Sequence, residues 1–136
     1  MERSKINSAW PTALRWFLVQ ELNSFTPWHF IKEPEEMAFA AKVFHHEDVH
    51  AGEVFVFARR QDCDDFAGLK IIDGRITDEV IYFHPVFTDT SKPSPRTWNI
   101  LVGCFEDTFA FVTQVVVPDM KDWAMTEDAN GFEPRQ

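Results

Sequence analysis

The chain has 136 residues, the length of one domain, and its 45% hydrophobic and 15% aromatic content can build a core without metal or disulfide staples. A formal net charge of −9 disfavours nucleic acid as a direct ligand and anionic membranes as a docking surface, because both need concentrated basic charge. No apolar run reaches the length of a membrane span or resembles a signal peptide, and Cys63 and Cys104 form no CxxC pair, so the expected setting is cytoplasmic with reduced thiols.

In chain order, Asn7 or Ser8 offers a cap for a first helix, with Pro11 tolerated in its opening turn. Leu14, Phe17, Leu18, Leu22 and Phe25 recur at spacings of three and four, which predicts a helix to about Asn23. Trp16 and Val19 lie off that stripe and predict a helix covered on two sides. Thr26 to Ile31 breaks the period and reads as a short extended piece. Pro34 opens a second helix, with Glu33, Glu35 and Glu36 near its positive end. Met37, Ala40, Ala41 and Phe44 are its expected buried face, and it should end near His46, before Gly52.

Three apolar runs of strand length follow: Val54 to Ala58, Phe66 to Ile72, and Glu79 to His84. The first two are separated by Arg59-Arg60-Gln61-Asp62-Cys63-Asp64-Asp65 and the last two by an Asp73-Gly74 turn, the pattern of a β-meander. Thr88 to Arg96 is polar and rich in proline, hence an exposed loop. Trp98 to Val102 is a fourth candidate strand. Phe105, Phe109, Val112 and Val116 form a last helical stripe, with Glu106 and Asp107 in its first turn. Pro118 should stop that helix, and Asp119 could cap one more turn through Trp123. Residues 125–136 read as a frayed polar tail. The expected fold is a single α+β domain over 1–136: two N-terminal helices, a central antiparallel sheet of about four strands, and a C-terminal helix packed on the sheet.

Two clusters invite metal chemistry. His46-Glu47-Asp48-Val49-His50 matches H-E-x-x-H, in which two histidines one helical turn apart hold zinc and the glutamate activates water. That chemistry needs a helix through His50 and a third ligand, whereas Gly52 and a strand follow at once. A zinc-dependent hydrolase on His46, Glu47 and His50 is therefore the alternative reading, and a solvated helix end the expected one. Asp62, Asp64 and Asp65 begin like a calcium loop but lack the glycine at the tight turn and the closing glutamate. The plainer expectation is that they bond backbone amides and fix the strand connection. Cys63 with His84 could be imagined as nucleophile and base, but no activating context surrounds them. The scattered glycines make no phosphate loop. No cofactor is expected.

The segment Phe57-Ala58-Arg59-Arg60-Gln61-Asp62-Cys63-Asp64-Asp65-Phe66-Ala67 resembles one found in many bacterial proteins of the SUKH superfamily, where a strand ending in Phe-Ala precedes Arg-Gln-Asp-x-Asp-Asp and a second strand. Val80-Ile81-Tyr82-Phe83-His84 is similar to that family's next strand, which also ends in His. The chain departs from the pattern at Pro85-Val86-Phe87, where an acidic, glycine-containing loop is common. The resemblance implies an α+β fold and a non-enzymatic role, foremost that of an immunity protein that occludes a bacterial toxin, often a nuclease. It also leaves a regulatory scaffold of the same fold as an alternative. The expected partner is a basic protein, met by Asp62, Asp64 and Asp65 with Arg59 and Arg60 alongside. The plainer alternative is that the acidity serves solubility alone. Fourteen Phe and five Trp exceed what a minimal core needs; the expected place for them is the core between helices and sheet, with a groove, an interface or a homodimer left open for the surplus.

Overall fold

The computed structural model describes residues 2–127. Its centre is one antiparallel sheet of six strands in sequence order: β1 (Ser24–Phe25), β2 (Trp28–Phe30), β3 (Glu53–Arg60), β4 (Phe66–Ile72), β5 (Arg75–Phe83) and β6 (Leu101–Phe105). The expected meander is present as β3, β4 and β5. The Asp73-Gly74 turn adopts positive φ at both residues, 50° and 77°, as a two-residue hairpin requires. The expectation of about four strands is corrected to six, because the extended piece after the first helix folds back as the small β1–β2 hairpin and joins β3.

Helices cover both faces of the sheet. α1 (Thr12–Val19) and the C-terminal helix pack on one face, around Leu14, Leu18, Trp28, Phe57, Leu69, Val80 and Phe111. α2 (Pro34–Glu47) packs on the other, where Met37, Ala40 and Phe44 meet Val54, Val56, Phe66, Ile81 and Phe83. α1 is shorter than its apolar stripe predicts. Asn7 caps no helix; its side chain closes a turn with the Ala9 amide at 2.8 Å. At the other end Glu21 turns left-handed, and the Leu22 amide bonds back to the Phe17 carbonyl at 2.9 Å, which ends the helix. Phe25 then continues the same apolar surface from β1, its ring 6.2 Å from that of Phe17. Trp16 is 56% exposed, so this helix is covered on one side only.

A bulge in β3 between Val56 and Ala58 resets the strand's alternation. Val54 and Val56 point to the α2 face, while Phe57 and Ala58 both join the opposite core. The next two residues therefore diverge, Arg59 toward α2 and Arg60 toward the C-terminal helix.

The C-terminal segment departs most from expectation. The fourth long strand spans Leu101–Phe105, not Trp98 to Val102, so Phe105 belongs to the sheet. Asp107 is the N-cap of the following helix, accepting the Ala110 amide at 2.8 Å. That helix runs through α3 (Thr108–Phe111), a π-helical turn at Val112–Val116, and α4 (Val117–Thr126). Pro118 does not stop it. Proline lacks the N–H that an α-helical ladder would use, and the widened turn just before it relieves the ring clash. Of the expected tail, residues 128–136 lie outside the described part; Met125 and Thr126 are still helical. No helix among the described residues is long and apolar enough to cross a membrane.

Candidate functional site

The β3–β4 connection carries the acidic residues singled out from the sequence, and the structure divides them. Asp62 chelates Arg60 through Nε at 2.7 Å and Nη2 at 3.2 Å. Asp65 accepts the Tyr82 hydroxyl through one carboxylate oxygen and meets His84 Nδ1 at 2.6 Å through the other. Asp64 is exposed and, among the described residues, in no ion pair. The expectation that these carboxylates hold backbone amides is thus corrected: Asp62 and Asp65 shape the loop through side chains of β3 and β5.

Burial pushes the Tyr82 hydroxyl pKa far up, and its bond to the negative Asp65 raises it further. Tyr82 is accordingly a permanent neutral donor. Cys63 is disarmed in the same way: burial first, then the charges of Asp65 and Asp62, raise its thiol to about 11. Little thiolate exists at neutral pH, so pairing Cys63 with His84 as nucleophile and base has no electrostatic support.

Residues to which the sequence reading gave no such role anchor the loop at both sides. Trp28 Nε1 donates to Asp119 Oδ2 at 2.9 Å, and Arg60 Nη1 lies 3.1 Å from the same oxygen. Asp119 is therefore no cap; it ties the C-terminal helix to β2 and β3. Gln61 Oε1 accepts from His29 Nε2 at 2.5 Å, which leaves His29 Nδ1 to accept from the Ser24 hydroxyl at 3.0 Å. Burial lowers the His29 pKa below 6.5, against the opposing bond from Gln61, so the ring is held neutral. The only signal in the sequence was chemical: buried Trp and Tyr need a partner for their polar ends.

Arg59 sits on the α2 side, 3.3 Å from Glu33 and in contact with Glu36, its guanidinium 5.8 Å from the Phe66 ring centre. Phe66 meets Phe87 edge-on, and Phe87 stacks on Phe39 with centroids 6.1 Å apart. Phe39 and Phe87 are 51% and 38% exposed, so an aromatic shelf adjoins the acidic loop through Phe66. Phe87 holds a left-handed φ of 56°, which costs a non-glycine residue on the order of 1 kcal/mol or more.

The H-E-x-x-H segment is not one helical face. α2 ends at Glu47, and Asp48 is extended, with φ −61° and ψ 131°. His46 stays on the last turn while His50 follows the break. Glu47 is fully buried, and its carboxylate accepts the Val86 amide at 2.9 Å, the Thr88 amide at 2.6 Å and the Thr88 hydroxyl at 2.8 Å. It holds the loop after β5 and is not free to activate water. Arg96, from the far end of that loop, caps α2 by donating to the carbonyls of His46 at 3.1 Å and His45 at 3.3 Å. Among the described residues no group of three or more His, Cys, Asp or Glu side chains is placed to share a metal ion.

No family model matches this chain, and no curated protein or solved structure matches it.

Proposed function

We propose that this chain is a non-enzymatic, acidic binding protein of SUKH type, an immunity protein that neutralises a bacterial toxin by covering a basic active-site cleft such as a nuclease's. The observation that carries this reading is the exposed Phe39–Phe87 stack, whose Phe87 ring packs on Phe66, the residue that follows the acidic β3–β4 loop. Aromatic anchors beside unsatisfied charge are the usual makeup of a high-energy contact patch, with the charges speeding encounter and the rings slowing release. Within the loop the contact charge falls to Asp64, because Asp62 and Asp65 are engaged at home. Arg59 and Arg60 serve the two helical layers and have correspondingly less to offer a partner.

The test is capture of partners from the native cell with the untagged protein, read by mass spectrometry, followed by an activity assay on whatever is captured. Recovery of one basic toxin domain, inhibited at stoichiometric ratio and released by Phe39→Ala, is the expected result. Recovery of no basic partner, or of a partner whose activity is untouched, overturns the proposal. A toxin gene beside this one separates immunity from a scaffold role.

A further inference from the structure

Phe87 is held in its exposed pose by a residue that never meets solvent. Glu47 is fully buried at the end of α2, and its carboxylate closes on the two amides that flank Phe87. Oε1 accepts the Val86 amide at 2.9 Å; Oε2 accepts the Thr88 amide at 2.6 Å and the Thr88 hydroxyl at 2.8 Å. Between those bonded amides Phe87 takes its left-handed φ of 56°. Such a conformation persists in a non-glycine residue only where the surroundings over-determine it, and it is commonest at contact and switch sites. Here the surroundings include a buried carboxylate that cannot shift without stranding its three donors and its own charge.

The same helix fixes the ring. Phe39 precedes Glu47 by eight residues on α2, about two helical turns. Its ring stacks on that of Phe87 with the planes 8° apart, and Phe66 meets the Phe87 ring edge-on at 73° and 6.4 Å. α2 thus grips the loop backbone with one side chain and the loop's aromatic ring with another. The held segment still faces solvent: Val86 is 50% exposed and Phe87 38%. A loop that only had to cross from β5 to β6 would gain nothing from an outward ring on a strained backbone. A contact surface gains a ring whose ordering precedes binding.

We propose that Phe87 is the anchor of the partner contact and that Glu47 is its positioning residue, acting through the loop backbone without touching the partner. The inference rests on the reading of the aromatic stack as a contact surface.

The experiment uses the whole protein and has two arms. In the first, NMR on protein with labelled Phe rings follows the contacts of Phe87 with Phe39 and Phe66. Glu47→Gln, which puts an amide nitrogen where a carboxylate oxygen accepted, should abolish those contacts while the signals of the buried Trp28 and Phe57 stay dispersed. Should Glu47→Gln fail to fold, Thr88→Val serves as the second variant; it deletes one of the three bonds and should weaken the same contacts. In the second arm, affinity is measured for the basic protein retrieved from the native cell. Phe87→Ala should weaken it about tenfold or more, as loss of an aromatic anchor does. Glu47→Gln should weaken it about three- to tenfold, the equivalent of ordering one side chain on binding. The double variant should bind no worse than Phe87→Ala alone, because Glu47 acts only through that ring. Ring contacts intact in every folded variant, or affinity losses that add in the double variant, overturn the proposal. If no basic partner is retrieved, the functional reading falls, and the ring contacts still decide whether Glu47 sets Phe87.

Discussion

Four side chains have roles that particular measurements separate. His29 has a folded pKa below its ordinary 6.5, so beneath that value the unfolded chain takes a proton that the folded one refuses. Its stabilising share is complete above 6.5 and declines as pH falls through 6.5 toward the folded value. Urea midpoints measured across that window should drop on the acid side, and His29→Gln should flatten the slope. Glu47→Ala strands the amides of Val86 and Thr88 and should cost about 3 kcal/mol in urea unfolding, as a buried acceptor with several donors does. A catalytic glutamate would be lost without such a fall. In the acidic loop, Asp64→Lys should leave the urea midpoint unmoved while slowing association with a basic partner. Asp65→Lys should lower the midpoint sharply, because it abandons Tyr82 and His84 together.

Elements were legible where a period ran long enough to read. β3, β4 and β5 announce themselves by apolar runs and by Asp73-Gly74, and α2 by Pro34 and its buried stripe. β1 and β2, of two and three residues, are too short for an alternation to repeat. Phe105 fitted the helical spacing of Phe109 and Val112 and misled for that reason, since its neighbours Leu101 to Cys104 carried the strand. Pro118 signals a stop only for a regular α-helix; the π-helical turn is a backbone choice with no composition of its own. The site was legible in part: Asp62 and Asp65 stood out, but Tyr82 and His84, which hold Asp65, and Asp119, which holds Trp28 and Arg60, come from distant segments and no local spacing links them. At the β3–β4 ladder, a Cβ on Gly68 would lie 2.8 Å from the Val54 Cβ and 3.2 Å from the Phe55 carbonyl oxygen. Gly68→Ala should therefore destabilise by about 1–3 kcal/mol, the usual cost of overpacking, measured by the same urea titration.

Across the whole molecule, the charge of −9 acts at a distance that no single carboxylate reaches. If the proposed function holds, association with a basic partner should slow by about tenfold between low and physiological salt, while dissociation should change far less. Stopped-flow mixing at several ionic strengths measures both; a rate indifferent to salt would mean that the acidity serves solubility alone. The long crossing from β5 to β6 is pinned at each end on the same helix terminus, by Glu47 on one side and Arg96 on the other. Severing the backbone midway, near Ser91, would leave either stump still fastened. The span behaves as a bridge with two abutments, and its middle is the place where insertions, tags or cuts should be borne with the architecture intact.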